Sequence, residues 1–497
     1  MRFAVYNNRL VPEPLLPSAE KTEPISKLPT IPLQPLNPDF PFNPDLQTIL
    51  TGKQLLLDEL PFELEEIQTH YENGFLAYRK SIELKGKQAI CIRCGTKDPA
   101  WFASYPCARC KESCTYCRQC LMMGRVSSCT PLISWTGPEP EAQPAERILN
   151  WAGSLSKGQK EASSRVVEAV ETDSELLVWA VCGAGKTEVL FAGIAAALAE
   201  GKRVCVATPR TDVVLELTPR FKAVFPHTTI ASLYGGSEDR QKHAQLTIAT
   251  THQLLRFYQA FDFMVVDEVD AFPYSVDAAL QYAVKQARKQ GSALVFLTAT
   301  PNQKWQQECL SKKRAFVTIP ARYHRFPLPV PVFVWCGNWQ KHLQKNKLPS
   351  NVLNWIKHRI NSGNQALVFV PQIEQMEKLL PLLQTLHPDI LSVHAEDPYR
   401  KEKVQKMRNK EVPILLTTTI LERGVTFPNI DVAVLGAEDR IFAESALVQI
   451  AGRAGRSKNF PSGDVTFFHY GKTEAMVRAR NQILKMNQVG KQRGLLD

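Results

Sequence analysis

Lys186 and Thr187 close a short stretch of small residues, Ala-Val-Cys-Gly-Ala-Gly-Lys-Thr, running from Ala180 to Thr187. This arrangement suits phosphate chemistry. Gly183, Ala184 and Gly185 let backbone N–H groups approach phosphate oxygens, Lys186 reaches the β- and γ-phosphates of a nucleotide, and the Thr187 hydroxyl ligates magnesium. The usual pattern opens on glycine; here that slot holds Ala180. A second set is Asp267 and Glu268 in VVDEVD. Asp267 suits holding the magnesium through water, and Glu268 suits orienting and deprotonating the attacking water. Asp270 fits an ordinary acidic loop.

A third set is Gln449, Arg453 and Arg456 in QIAGRAGR. Arginines three apart predict two guanidinium groups on one helix face, able to reach a γ-phosphate, with Gln449 one turn earlier sensing the same phosphate or its water. Gln159, in LSKGQKEAS upstream of the loop, can read an adenine edge with its amide. Thr208, Arg210, Thr250, Thr251 with His252, Thr417 and Thr419 offer small hydroxyls and cations. These fit backbone phosphate oxygens better than base edges, and such contacts position a strand without reading its sequence. Thr298-Ala299-Thr300 would link the nucleotide and strand sides.

The fourth chemical feature is sulfur. Of 12 cysteines, eight fall between Cys91 and Cys129. Cys91/Cys94, Cys107/Cys110, Cys114/Cys117 and Cys117/Cys120 are each two residues apart, with Cys129 beyond. That spacing lets neighbouring thiolates clasp one tetrahedral zinc, and eight could hold two. The strand-helix context of a redox pair is absent, so zinc is the expected ligand; the pairing stays open.

The elements that must position these groups follow from hydrophobic runs. Leu176–Trp179 is apolar at every position, as in a strand buried on both faces of a parallel sheet, and an alanine-rich helical stretch follows the loop. Apolar runs at 204–207, 246–249, 264–266 and 294–297 each end in one of the polar motifs, at the strand edge where open α/β sheets bind ligands. A second alternation covers 366–370, 391–393, 414–416, 432–435 and 465–468, without a phosphate loop. The fold class expected is α/β, with two tandem parallel-sheet lobes, RecA-like as the motif resemblance given below implies, preceded by a small cysteine-rich zinc-binding domain. The expected divisions are 1–74, a proline-rich arm with short helices; 75–136, a hairpin over 75–90 and the cysteine cluster; 137–325, the first lobe; and 326–497, the second lobe with a basic terminal helix over 473–493. Prolines between residues 11 and 44 predict extended, weakly ordered chain, 137–144 a linker, and 322–331 a hinge between lobes.

Composition sets the outer limits. The chain has 497 residues, 44% hydrophobic and 22% charged, and a net charge of +11. These values suit a globular protein of about three domains with an anionic partner. No signal peptide is visible at the start, and no apolar run approaches the ~20 residues of a membrane span. A cytoplasmic location is expected, with peripheral docking at the cell membrane still open.

GAGKT, ATPR, VVDEVD, LTATP, ERGVTFPNI and QIAGRAGR, in that order from about residue 155 to 470, resemble the motifs of superfamily 2 helicases and translocases. Within that superfamily, YCRQCLMMGR (116–125), ATPRTDVVLEL, DEVDAFPY and RYHRFPLPVP resemble the late competence ComFA family of naturally transformable Gram-positive bacteria. The resemblance implies an ATP-driven single-stranded DNA translocase assisting import of transforming DNA. It also implies docking to a ComFC-type phosphoribosyltransferase-like protein and to the membrane DNA-uptake channel; self-association into a homo-oligomer stays open. Two departures stand out. Asp-Glu-Val-Asp replaces Asp-Glu-Ala-Asp, setting the chain apart from strict DEAD-box RNA helicases, and Thr426 stands where relatives often carry an Asp for the ribose. Rival readings are a PriA-like replication-restart helicase, whose cysteines would lie inside the second lobe, and a nucleotide-gated DNA-binding scaffold.

Overall fold

A computed structural model describes residues 1–497 apart from 18–19, 87, 142–147, 424 and 426. Thr426, part of the 137–144 linker and part of the proline-rich stretch therefore lie outside the described residues. The chain divides into two compact units. One comprises Met1–Gly153, Ser164–Leu176 and Phe191–Phe296; the other comprises Ser154–Ser163, Leu177–Leu190 and Leu297–Asp497.

Two parallel sheets dominate. The first has seven strands in the order Ile230–Leu233, Leu246–Thr250, Val204–Thr208, Phe261–Val266, Arg288–Thr298, Glu175–Ala180, Phe316–Ile319. The second has six, in the order Val332–Trp335, Val465–His469, Asp431–Leu435, Ala366–Phe369, Ile414–Thr417, Leu391–Val393. Central strands such as Val204–Thr208 and Asp431–Leu435 are buried at every residue, which is why their sequences are runs rather than alternations. The three strands not expected, Ile230–Leu233, Phe316–Ile319 and Val332–Trp335, are all edge strands. A strand paired on one side only needs a shorter apolar signature, and these supply four residues each.

The N-terminal region differs from expectation in two places. The described residues of 1–43 are extended, apart from the 3-10 turns Glu13–Leu15 and Ile25–Lys27, but packed. Phe3–Tyr6 and Arg9–Pro12 form an antiparallel hairpin turned by Asn7 and Asn8 at positive φ. Phe3, Leu10, Ile25 and Leu28 then join Ile67 and Tyr71 in one core. Proline fixes φ without forbidding burial, and the leucines and isoleucines between the prolines supply the apolar contacts. Tyr71 Oη accordingly donates to Pro32 O at 2.7 Å. The second difference concerns the hairpin expected over 75–90. Leu76–Lys80 pairs instead with Pro131–Trp135, on the far side of the cysteines, and the hairpin is Ile82–Lys85 with Gln88–Cys91. The cysteine segment is thus an insertion between two adjacent strands. The terminal helix, Glu474–Gln492, matches expectation, with Thr473 capping it by accepting from Met476 N.

Candidate functional site

The phosphate loop leaves the strand Glu175–Ala180 and turns through Gly183 at φ 81° and Gly185 at φ 69°. Both values lie in the left-handed region, so the two glycines are conformationally required. Lys186 opens a four-residue helix, Lys186–Val189, and a second helix, Phe191–Ala199, continues from it. Gln159, 2% exposed, clasps the loop: its Nε2 donates to Ala184 O (3.0 Å) and Gly185 O (3.2 Å), and its Oε1 accepts from Ser156 N (2.8 Å). The amide expected to face adenine is here engaged with the loop backbone.

Gln449, Arg453 and Arg456 lie in the same compact unit as the loop. Gln449 sits in the helix Glu444–Ala451, and the Cys182 thiol donates to its Oε1 at 3.0 Å. A Cβ on Gly452 would stand 2.5 Å from Cys182 Cβ, so loop and arginine turn are packed backbone to side chain. The two arginines do not share a helix face. The helix ends at Ala451, and Arg453 and Arg456 occupy the turn beyond it, where Gly455 takes φ 63°. Glycines at 452 and 455 end the helical run that a spacing of three alone would suggest. Arg453 is buried, donating to Glu422 O at 2.9 Å and to Val425 O. Arg456, half-buried, donates to Gly452 O at 2.9 Å.

One residue of this site escaped the sequence reading. Arg322, placed there in a hinge, is 1% exposed and donates to Gly455 O and, at 3.2 Å, to Gly452 O. Burial, reinforced by the Arg456 charge, lowers its pKa to about 10. The same side chain lies against Gly183, whose added Cβ would meet Arg322 Cγ at 3.6 Å. Its only sequence signal is an arginine at the head of a proline-rich spacer. Ala299, in Thr298-Ala299-Thr300, also belongs to this unit. Its carbonyl accepts from Trp179 Nε1 (3.1 Å) and from Gln482 Nε2 of the terminal helix (2.7 Å).

Asp267 and Glu268 belong to the other unit, directly after Phe261–Val266. Asp267 N donates to Ala207 O at 2.8 Å, and Glu268 N to Asp267 Oδ1 at 2.8 Å. Glu268 takes φ 53°, a left-handed conformation that costs a non-glycine residue about 1–3 kcal/mol and is concentrated at working sites. Thr208 and Thr250 are in register at the carboxyl ends of adjacent strands. The Thr208 and Thr251 hydroxyls are buried and, among the described residues, have no hydrogen-bond partner. His252 is exposed beside them, and Arg210 is paired with Asp212 at 2.7 Å. Thr417 ends the strand Ile414–Thr417, and Thr419 starts the short 3-10 turn after it.

The eight clustered cysteines separate into two buried sets, Cys91/Cys94/Cys117/Cys120 and Cys107/Cys110/Cys114/Cys129. Within each set all sulfurs lie within 4.8 Å of one another, and none forms a disulfide. A tetrahedron with metal–sulfur bonds of ~2.3 Å has edges of ~3.8 Å. The Sγ separations fit: 3.8 Å for Cys91–Cys120, 3.6 Å for Cys94–Cys117 and 3.8 Å for Cys107–Cys129. One thiol of the first set, Cys117, and two of the second, Cys114 and Cys107, are drawn toward the thiolate by bonds from their neighbours. Cys120, then Cys91 and Cys94, lower Cys117; Cys129, then Ser128, lower Cys114. Donor type, count and geometry all suit a thiolate-loving tetrahedral ion such as zinc.

Comparison with known proteins agrees with this architecture. Residues 153–303 match the model for the res subunit of type III restriction enzymes, and residues 345–458 match the helicase conserved C-terminal domain. With two RecA-like sheets and the ordered motifs, these define a superfamily 2 helicase, an ATP hydrolase. Residues 36–134 match the competence protein ComFA N-terminal domain. Competence protein ComFA of Bacillus subtilis strain 168 is 50% identical over 455 residues, spanning 92% of this chain and 98% of that protein. Its counterpart in Streptococcus pneumoniae R6 is 39% identical over 431 residues, spanning 86% and 96%. The chain belongs to the ComFA family of competence-associated helicases. Among solved structures, S. cerevisiae Dbp5 bound to RNA and ADP BeF3 is similar at 16% identity, with a TM-score of 0.49, covering 69% of this chain and 94% of that one. No helix among the described residues is long and apolar enough to cross a membrane.

Proposed function

We propose that this chain is an ATP-dependent single-stranded DNA translocase that powers entry of transforming DNA into the cytosol. The observation that carries the reading is the packing of Gln449 and Gly452 onto Cys182, which ties the phosphate loop to the arginine turn within one unit. In this reading Gly183, Ala184 and Gly185 wrap the phosphates of ATP, and Lys186 neutralises the β- and γ-phosphates. Magnesium is held by Thr187 and, through water, by Asp267. Glu268 deprotonates the attacking water. Arg456 stabilises the charge that develops on the γ-phosphoryl group, while Arg453, already engaged with two carbonyls, sets the turn that presents it. Gln159 orients the loop, and Gln449 reports its state.

Thr208, Arg210, Thr250, Thr251, Thr417 and Thr419 bind strand phosphates. The net charge of +11 supports an anionic partner, and hydroxyl-rich contacts support binding without sequence preference. The two cysteine sets each hold one zinc, which lends folding energy to a segment whose own hydrophobic core is small. Family membership supports the further parts of this reading: peripheral work at the inner face of the membrane beside a DNA channel, and a ComFC-type partner. The deciding experiment compares ATPase activity with single-stranded DNA, duplex DNA, RNA and no nucleic acid. Stimulation by single-stranded DNA above the others is expected, with log affinity falling against log salt at a slope of about −0.7 per phosphate neutralised. Activity indifferent to DNA would defeat the translocase reading.

A further inference from the structure

The first cysteine set is joined to the strand-binding side of the first sheet through one side chain. Arg93 stands between the ligands Cys91 and Cys94 and is 0% exposed. Its Nε donates to Leu255 O at 3.2 Å, and its Nη2 lies 3.5 Å from Glu59 Oε2. Glu59 also takes Arg256 Nε at 2.9 Å, through its other oxygen. Leu255 and Arg256 end the 3-10 segment Thr251–Arg256, which begins at Thr251 and His252. The same knuckle is pressed onto the neighbouring helix Ala278–Ala287. Gly95, at φ 73°, lies where a Cβ would meet the Tyr282 ring at 2.6 Å, and Tyr282 Oη donates to Ile92 O at 3.3 Å. Gln119, beside Cys120, donates to the Asp277 carboxylate at 3.1 Å.

We propose that Arg93 is a positioning residue through which the first metal knuckle fixes Thr251–Arg256, and with it Thr251, given a strand-phosphate role in the proposed function. The proposal rests on the strand-binding role given to Thr251 above. A buried guanidinium is costly unless its bonds are kept, so Arg93 holds the Leu255 carbonyl only while Cys91 and Cys94 hold the knuckle that carries it. The second set has other ties: Arg2 Nη1 donates to Cys110 O at 3.0 Å, and Arg109 pairs with Asp58 at 2.8 Å. The two metal sites therefore divide their work. One sets the geometry of the strand site, and the other fastens the N-terminal region.

The experiment uses the full-length zinc-loaded chain and three variants, Arg93→Ala, Arg93→Lys and Glu59→Gln. Zinc content, hydrogen exchange without DNA, and ATPase against oligo-dT and ATP are measured on each. Arg93→Ala is expected to keep the zinc content of the parent while amides in 251–257 exchange roughly tenfold faster or more. The oligo-dT concentration for half-maximal stimulation rises by about the same factor, with basal ATPase and the KM for ATP unchanged. Arg93→Lys, which can still donate to Leu255 O, restores part of both. If Arg93→Ala loses zinc, the zinc-retaining Arg93→Lys decides: exchange in 251–257 faster than in the parent supports the latch, and parent-like exchange overturns it, while Glu59→Gln, which also frees Arg256 within that segment, reports the combined loss of both bonds. Unchanged exchange and unchanged oligo-dT dependence with zinc retained would overturn it. A parent protein whose ATPase ignores DNA would instead defeat the translocase reading, and the exchange data would still judge the latch.

Discussion

The two parallel sheets share an architecture and differ in chemistry. In the first, the strand Glu175–Ala180 runs into a glycine turn and Lys186, and Phe261–Val266 runs into Asp267 and a strained Glu268. In the second, Ala366–Phe369 runs into Val370-Pro371-Gln372, with neither glycine nor lysine. The arginines proposed to meet the nucleotide stand instead on the turn after Glu444–Ala451, beside Gly452 and Gly455. Central strands such as Val204–Thr208 and Asp431–Leu435 are buried at every residue in both sheets, so burial specifies the scaffold and not the chemistry. What distinguishes them is the handful of residues past each strand end, where backbone conformation rather than packing decides the chemistry.

The sharpest way to break that comparison is to disable the strand-end residues of each sheet. Lys186→Ala and Glu268→Gln are each expected to lower kcat by roughly 10³-fold or more. Gln372→Ala, at the matching strand end of the second sheet, should leave kcat within about twofold. Comparable losses on both sides would erase the distinction. Arg456→Ala tests whether the second sheet acts through its turn. A fall in kcat of about 10³-fold with little change in the KM for ATP is expected from steady-state kinetics. Arg322→Ala removes the donors to Gly452 and Gly455 without touching the reacting groups. A loss of about 10–100-fold is expected from a misplaced turn, with Arg322→Lys less affected.

The smallest effect concerns stability on the side of the first sheet. Lys53 is 2% exposed, donates to Arg240 O at 3.1 Å, and is lowered to about pKa 7 by burial and then by Arg203 and Arg256. Below about pH 7 this lysine is charged in both folded and unfolded chains, and its burial cost is fully present. Between pH 7 and the unfolded value of 10.5 only the unfolded chain holds the proton, so stability rises with pH. Lys53→Met should add about 1–3 kcal/mol at pH 7 and flatten that rise, read from urea melts at pH 7 and 9.5.

What the sequence could reveal follows the same division. Strands such as Val204–Thr208 announce themselves because a two-sided burial requirement writes an unbroken apolar run. The phosphate loop and acidic pair were readable because phosphate chemistry demands particular residue types in close succession. Three of the four edge strands of these sheets, Phe316–Ile319 among them, were not, since half their constraint comes from solvent, while the fourth, Leu391–Val393, was. Arg322 was invisible for another reason: its role is to donate to carbonyls more than a hundred residues away, and backbone carbonyls carry no sequence signature. The helix expected for Arg453 and Arg456 stops at Ala451, because Gly452 and Gly455 interrupt the run that their spacing of three suggests. The pairing of the cysteines became readable only through the strands around them. Phe102–Cys107 and Glu112–Cys117 zip together and carry Cys107 and Cys114 toward one set while Cys117 enters the other.

That nesting has a consequence for how the protein is made. Cys107, Cys110 and Cys114 all lie in the span that Cys94 and Cys117 close at 3.6 Å. Capture of an ion by either set shortens the chain that the other must gather, so the entropy of loop closure is shared between them. Metal uptake should then be cooperative and close to all-or-none in titration. During synthesis neither set can finish early: the first waits for Cys120 and the second for Cys129 to leave the ribosome. A nascent chain that takes up ions at the two proposed sites would complete them within about nine residues of one another, just before Pro131–Trp135 arrives to pair with Leu76–Lys80.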